Sequence, residues 1–343
     1  MKLTAQVKLC PGIDQTQALR KTLERANVAC NLISGWAWDN KVFGQYAIHR
    51  GFYHEAKAIS GLTSQVVIRC IAKVADAYKL DRKKKRKFSV LGSIAYDDRI
   101  LRWYVDKGYV SIWADGARER ILFVCGDRQQ RLLASRMGES DLVFFDGNFY
   151  LLATCEIADP DPRDVQDYLG VDLGIMNIAV SSDGEVFTGG VVKGLRRRHA
   201  HLRTKLQAKG TKSAKRLLKK RRRKEARFSR HVNHCISKSL VVKAKGTNRG
   251  IALENLKGIR SRIRLRKPQR YIQHSWAFNQ LRAFIEYKAR LAGVKVVAVD
   301  PRNTSRTCPR CSCIHQNNRP SRDLFRCVAC GFAGPADHIA AEN

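Results

Sequence analysis

Two cysteine pairs near the end of the chain constrain its fold more than any other feature. Cys308-Pro309-Arg310-Cys311 and Cys327-Val328-Ala329-Cys330 stand 15 residues apart. A C-x-x-C turn offers two thiolates from one tight knuckle, and four thiolates meet the tetrahedral demand of Zn²⁺. The spacing therefore predicts a compact tail built around one structural Zn²⁺ on Cys308, Cys311, Cys327 and Cys330. Four closed ligands leave no open position for chemistry at that ion. Cys313 and His315 flank the first knuckle and would be alternative ligands under a register shift. The other six cysteines, Cys10, Cys30, Cys70, Cys125, Cys155 and Cys235, are scattered and read as core residues.

Unpaired thiols and a metal knuckle fit a reducing compartment. The opening segment, MKLTAQVKLCPGIDQ, lacks the apolar stretch of a secretory signal. The chain also has no run of about 18 apolar residues, so no membrane helix is expected. A cytoplasmic protein is the reading, with no membrane partner.

Charge narrows the partner. The 343 residues carry 65 Lys and Arg against 30 Asp and Glu, a net charge of +35. Self-repulsion on that scale is relieved by a polyanion, and nucleic acid is the leading candidate. An apolar content of 44% still supplies a core. Between Lys193 and Arg270 there are 29 Lys or Arg and two acids, Glu225 and Glu254. The densest part is Lys215 to Lys224, KRLLKKRRRK. Leu202, Leu206, Leu217 and Leu218 give this segment an apolar side, which predicts a helical pair with a basic outer face.

Patterning divides the chain into four zones. A short alternating strand, Lys2 to Leu9, precedes a helix with Leu19, Leu23, Ala26, Cys30 and Ile33 on one face. A second helix is expected from about Tyr53 to Tyr78, with Trp36, Trp38, Phe43 and Tyr46 in a small helical core or stacking on bases. Residues 81–165 read as short strands, Phe88 to Tyr96, Ile100 to Val105, Tyr109 to Trp113, Ile121 to Cys125 and Phe149 to Ile157, separated by turn signals. That pattern predicts a small barrel or sandwich. Residues 166–300 look α/β. Strands are expected around Val171 and at Ile178 to Ser181, with an Asp183-Gly184 hairpin turn into Glu185 to Thr188. Basic helices follow from Val191 to about Lys245, then a strand at Gly250 to Leu253, and a helix from about Trp276 to Ala292 leads into the strand Val294 to Val299. Residues 301–343 are the cysteine-bearing tail.

Acids are scarce in the basic half, so each needs a reason. Asp172 lies inside Gly170-Val171-Asp172-Leu173-Gly174, Glu254 ends Ile251-Ala252-Leu253-Glu254, and Asp337 opens the helix-like Asp337-His338-Ile339-Ala340-Ala341. Each taken singly fits a cap or a strand end. Together, oxygen ligands from two strands and a helix can hold two Mg²⁺ ions about 4 Å apart, the arrangement that hydrolyses phosphodiesters. Basic walls around such a set describe a nuclease.

At these positions the sequence resembles a known family. Gly170-Val171-Asp172-Leu173-Gly174-Ile175-Met176-Asn177-Ile178-Ala179-Val180-Ser181-Ser182-Asp183-Gly184 is similar to the first RuvC motif of transposon-associated TnpB proteins. Ile251-Ala252-Leu253-Glu254-Asn255-Leu256-Lys257-Gly258-Ile259 resembles the second, and Asp337-His338-Ile339-Ala340-Ala341-Glu342-Asn343 the third. Trp276-Ala277-Phe278-Asn279-Gln280-Leu281, Tyr287-Lys288-Ala289 and Thr304-Ser305-Arg306-Thr307-Cys308 resemble the family's approach to its zinc ribbon. The likeness covers residues 168–343. Two positions depart from the pattern: Pro335-Ala336 where an acid often precedes the last Asp, and Ile339 where Asn is usual.

The resemblance implies an α/β plus β-barrel protein. Its parts would be a RuvC (RNase H-like) nuclease domain with an inserted zinc ribbon, and an N-terminal wedge barrel with a helical recognition insert. The implied boundaries are 1–12 for the first wedge strand, 13–80 for the recognition helices and 81–165 for the wedge barrel. Residues 166–303 would form the RuvC domain with its basic helical insert, 304–334 the ribbon, and 335–343 the last RuvC motif, with a short final helix. The implied activity is RNA-guided, Mg²⁺-dependent cleavage of double-stranded DNA in a prokaryotic, nucleoid-associated setting. Asp172, Glu254 and Asp337 would be catalytic and bind two Mg²⁺. A structured guide RNA would pair with one target strand. The alternatives are a nuclease-dead RNA-guided repressor, a miniature type V CRISPR effector, a strand-transfer transposase and a generic zinc-ribbon binder.

The basic segment yields a direct test. Replacing four cations between Lys215 and Arg230 by Gln should weaken nucleic-acid binding evenly across sequences. The slope of log affinity against log salt should flatten by roughly 0.7 to 0.9 for each phosphate that is no longer neutralised. Weaker sequence preference at unchanged affinity would contradict the reading.

Overall fold

A computed structural model describes residues 1–256 and 277–343, apart from the side chains of Arg222 and Arg223. The sequence features expected within 257–276, including the tail of the second motif and the helix start at Trp276, lie outside the described residues. Two compact units divide the chain, Met1–Ala158 and Asp159–Asn343.

The first unit is built on a seven-stranded antiparallel sheet. Its strands are β1 (Lys2–Cys10), β2 (Ile94–Tyr96), β3 (Leu101–Tyr104), β4 (Tyr109–Ala114), β5 (Ala117–Val124), β6 (Arg136–Phe145) and β7 (Asn148–Glu156). They lie in the order β2-β6-β7-β1-β5-β4-β3. β1 sits between β7 and β5, so the N-terminal strand holds the middle of the sheet. At the far ends, Trp103 on β3 donates its indole N–H to Ser140 on β6 at 3.3 Å, so the sheet curls toward a barrel. Alternation explains the burial along β1: Ala5, Val7 and Leu9 point inward while Lys8 and Cys10 face out.

Three helices are inserted between β1 and β2: α1 (Ile13–Asp39), α2 (Gln45–Ser60) and α3 (Ser64–Leu80). On α1, the expected stripe of Leu19, Leu23, Ala26, Cys30 and Ile33 is fully buried. The single helix expected from Tyr53 to Tyr78 is two. Gly61 ends α2 in the left-handed conformation, with φ of 58° and its N–H on Lys57 O. Arg25 of α1 donates to the carbonyls of Ser60 and Gly61, which fixes the break. The aromatics mostly pack: Trp36 stacks on Phe52, and Trp38 and Phe43 flank Tyr78. Tyr46 is the exception, at 92% exposed.

The strand expectations for residues 81–165 hold with corrections. Phe88 to Tyr96 is strand only from Ile94, because Lys73 and Asn27 take the carbonyls of Ser93 and Gly92 as hydrogen-bond acceptors in place of a neighbouring strand. Alternation did not reveal β6, whose ladder with β7 is irregular between Arg136 and Ser140, nor the short helix α4 (Asp127–Leu133) before it.

The second unit contains a five-stranded sheet: β8 (Tyr168–Asp172), β9 (Asn177–Ser181), β10 (Val186–Thr188), β11 (Gly250–Glu254) and β12 (Val296–Val299). The order is β10-β9-β8-β11-β12. The first three strands form an antiparallel meander, and β11 runs parallel to both β8 and β12. α5 (Gly190–Lys209) and α6 (Lys212–Gly246) connect β10 to β11, and α7 (Phe278–Ala292) precedes β12. Leu169, Val171, Ile251 and Leu253 pack with Ile236 and Leu240 of α6 and Leu281 and Ile285 of α7. The expected helical pair is present, but Leu202, Leu206 and Leu218 are only half-buried and Leu217 is 40% exposed. The apolar seam expected of them does not close. The tail holds β13 (Leu324–Arg326), β14 (Ala333–Pro335) and α8 (Ala336–Glu342). Among the described residues no helix is long and apolar enough to cross a membrane.

Of the six remaining cysteines, Cys30, Cys70 and Cys155 are buried as expected and Cys125 is partly so. Cys10 and Cys235 are exposed, because each lies on the outer face of its strand or helix.

Tyr78 is a useful probe of the first unit. Its buried hydroxyl meets Ser34 Oγ at 2.9 Å and accepts the Arg86 N–H at 3.2 Å. Tyr78→Phe leaves that N–H without its partner and should lower unfolding free energy by about 1–3 kcal/mol in urea titration.

Candidate functional site

Strand register brings two carboxylates together. The parallel ladder of β8 and β11 runs from Tyr168 opposite Gly250 to Val171 opposite Leu253. The next residue on each strand is an acid, Asp172 and Glu254. Because faces alternate, Val171 and Leu253 enter the core while Asp172 and Glu254 project from the other side.

The last helix covers that other side. A Cβ at Gly170 would lie 1.8 Å from the carbonyl oxygen of Ala341, so α8 meets β8 at a distance only glycine permits. Asp337, in the first turn of α8, thereby joins the two strand carboxylates. Burial pushes the Asp172 carboxyl up to about 7, and the charges of Glu254 and Asp337 push the same way. Arg319 and the Leu173 N–H oppose them. Burial also raises Glu254, against a hydrogen bond from Thr304.

Glu254 and Asp337 have side-chain holders that sequence patterning did not single out. Thr304 Oγ1 donates to Glu254 Oε1 at 2.8 Å. Asn177 Nδ2 donates to Asp337 Oδ2 at 3.0 Å, and Arg319 lies 3.4 Å from Asp337 Oδ1. Asn343, at the end of the same short helix, donates from its side chain to the carbonyls of Thr304 and Thr307, both at 2.8 Å. Thr304, Asn177 and Asn343 all fall inside the motif segments, but their partners are distant in sequence.

The departures from the motif have a structural reading. Ile339 and Ala336 are buried in a small core with Cys308, Phe325 and Cys327. An apolar residue at 339 seals the helix onto the tail, and the amide that reaches Asp337 comes from Asn177 instead.

The four predicted thiolates converge. Cys308 and Cys330 are 3.6 Å apart and Cys311 and Cys327 3.5 Å, with all four sulfurs within 4.8 Å of one another. Among the described residues this is the one group of three or more potential ligands packed that tightly. The residue after each knuckle, Ser312 or Gly331, has a positive φ that closes the turn. The Cys330 N–H on its sulfur draws the Cys327 thiol down, while Cys311, against the pull of the Cys313 backbone, is pushed up by the neighbouring sulfurs, so without a metal the cluster carries its thiolate on Cys327. The cluster is compatible with a structural zinc. Cys313 and His315 lie outside this four-sulfur group; the Cys313 carbonyl accepts the Cys308 N–H, and His315 Nδ1 accepts the Asn317 N–H.

The chain resembles known proteins over part of its length. A family model described as Cas12f1-like, TNB domain, matches residues 278–343. TnpB-like protein MJ0751 of Methanocaldococcus jannaschii is 32% identical over 195 residues, 53% of this chain and 69% of the relative. The chain belongs to the TnpB-like family. The CRISPR-associated endodeoxyribonuclease Cas12f1 of Sulfoacidibacillus thermotolerans is 32% identical to this TnpB-like chain over 197 residues. That match spans 52% of the chain and 45% of the relative, so less than half of the relative is represented. Among solved structures, the Cas12f1–sgRNA–target DNA complex matches with a TM-score of 0.62 at 14% identity, covering 97% of this chain and 83% of that one. The mini-RNA-guided endonuclease CRISPR-Cas_phi3 matches at 0.59 and 9% identity, covering 100% and 92%. At such identities the likeness is one of fold.

The raised Asp172 gives a pH test. Its folded pKa exceeds the ordinary 3.8, so its contribution to stability is complete below about pH 4 and is lost as pH rises through 7. With divalent ions chelated, Asp172→Asn should raise the melting temperature of the TnpB-like chain at pH 8 by a few degrees, and the gain should shrink by pH 5.

Proposed function

We propose that the chain is an RNA-guided DNA endonuclease whose RuvC-type active site is Asp172, Glu254 and Asp337. The observation that carries the reading is geometric: the β8–β11 register and the Gly170–Ala341 contact bring carboxylates from β8, β11 and α8 to one face of the sheet. Repulsion among carboxylates at a half-buried site is relieved by a retained proton, by a cationic side chain such as Arg319, or by a bound metal ion, and a metal ion between them relieves it for all three at once. Oxygen donors of this kind fit Mg²⁺, and the soft thiolates of the ribbon do not.

A pair of Mg²⁺ ions bound there would supply an activated water and stabilise the leaving oxygen of the cut phosphodiester. The chain's own residues do the positioning. Asp172 and Glu254 are fixed by strand register, Thr304 orients the Glu254 carboxylate, and Asn177 with Arg319 turns the two oxygens of Asp337. The meander of β8, β9 and β10 with parallel β11 and β12 supports an RNase H-like assignment for residues 166–303, closed by α8. The ribbon at 304–334 would be held by one Zn²⁺. The curled sheet at 1–12 and 81–165 would be the wedge barrel, with α1–α3 as the recognition helices at 13–80.

Guide RNA and double-stranded target DNA are the proposed partners. The charge of +35 and the cation-rich helices α5 and α6 support a polyanion, and the relatives named as RNA-guided nucleases supply its kind. The proposed setting is a transposon in a prokaryotic, nucleoid-associated context, as the TnpB-like relative suggests.

The test is cleavage of a guide-matched duplex. Asp172→Ala, Glu254→Ala or Asp337→Ala should each lower the rate by more than about a hundredfold while RNA binding is retained. Thr304→Val should cost roughly ten- to a hundredfold, as for a residue that orients a metal ligand. Unchanged cleavage in Asp172→Ala would overturn the site.

A further inference from the structure

The helical pair α5–α6 does not pack as a pair of helices ordinarily does. One face of α5 presents Arg196, His199, Arg203 and Gln207 at spacings of three and four residues. Facing them, α6 offers Arg221, Glu225 and Ala226, and between the two helices and the start of α7 lies a cleft of about 750 Å³. Arg203 and Glu225 bridge it at 3.1 Å. Glu225 is the single carboxylate among the cleft's described lining residues, against five Arg or Lys.

Two physical costs follow. Arg203, Lys219, Arg221 and Arg230 gather along the cleft and repel one another, and among the described residues Glu225 bridges only Arg203. In addition, Arg221 Nε is a buried donor without a hydrogen-bond acceptor among the described residues, a group that costs about 1–3 kcal/mol if left so. An anion in the cleft removes both costs. A bare anion would not use the rest of the space. Leu218, Ala226 and Ala277 give the cleft an apolar surface, and Gln207, Ser229 and Gln280 give it groups able to donate and accept. Cations for a phosphate, an apolar wall for a ring and amides for its edge are the parts of a nucleotide site, and the volume lies in the range of small-ligand pockets.

We infer that this cleft takes a single nucleotide extruded from a bound RNA, its phosphate on the arginines and its base against Leu218 and Ala226. This rests on the RNA-binding reading above but goes beyond it: phosphate contact along α5 and α6 requires no cleft, and the inference assigns one.

The test separates the cleft from its charge. Ala226→Phe puts a ring on the apolar wall where the base would lie and leaves every cation in place; Arg203→Gln removes one cation and leaves that wall open. Adenosine monophosphate is offered to the full chain without guide or target, and saturation-transfer NMR reads contact at the adenine protons. Circular dichroism and melting temperature establish that both variants fold. The expected result is adenine contact in the parent chain, lowered at least fivefold in Ala226→Phe and weakened in Arg203→Gln. Bound RNA carrying 4-thiouridine at single positions should crosslink to residues 218–230 from one position, and Ala226→Phe should abolish that crosslink with total RNA affinity changed less than threefold. Adenine contact unchanged in Ala226→Phe, displacement by inorganic phosphate alone, or crosslinks spread evenly over the RNA would each overturn the inference. Because the mononucleotide experiment uses no guide and no cleavage, contact that persists in a chain unable to cut DNA would leave the cleft standing and remove the nuclease reading instead.

Discussion

The missing side chain of Gly170 is the constraint on which the rest of the second unit depends. With the Ala341 carbonyl 1.8 Å from where a Cβ would stand, any other residue would lift α8 from the sheet. Asp337 would leave with it, and so would the Asn343 clamp on the loop that carries Thr304. One close backbone contact thus aligns a helix carboxylate, two strand carboxylates and a hydroxyl that orients one of them. Alanine at this position costs more than a methyl group's volume because the opposing atom is backbone and has no rotamer to yield.

The tail contributes to the same site through covalent continuity. β14 runs directly into α8, and Phe325 of β13 is buried with Cys308, Cys327, Ala336 and Ile339. Asn318 joins the two knuckles, donating to the Cys313 carbonyl and accepting the Val328 N–H. Its neighbour Arg319 reaches Asp337. Order at the cysteine cluster is therefore transmitted to a carboxylate through one side chain and one helix start. Through these contacts the four-cysteine cluster bears on the position of the Asp337 carboxylate.

Much of this was legible in the residues. Four cysteines at knuckle spacing needed no tertiary information, because the pattern is local and the metal's geometry is strict. Asp172 and Glu254 stood out because the first lies inside an apolar strand segment and the second ends one, in a half of the chain poor in acids. What stayed hidden depends on contacts between distant residues. Asn177 and Arg319 lie on either side of Asp337 only after the sheet and the tail have formed, and no periodicity marks them. The break between α2 and α3 turns on one left-handed glycine clamped by Arg25 from another helix. Leu202, Leu206, Leu217 and Leu218 had the spacing of a seam, yet of the four only Leu218 lines the cleft between α5 and α6, where α5 presents Arg196, His199, Arg203 and Gln207. Periodicity tells that a helix has two faces, and not which of them its partner takes.

The central claim is that Asp172, Glu254 and Asp337 form one divalent-cation site, and metal binding reads it more directly than cleavage does. Mn²⁺ titrated into the intact chain and followed by electron paramagnetic resonance should show two bound ions coupled to each other. Both should be lost or uncoupled in Asp172→Asn, with the zinc content unchanged. A single uncoupled ion, or a coupled pair that persists in Asp172→Asn, would contradict the account.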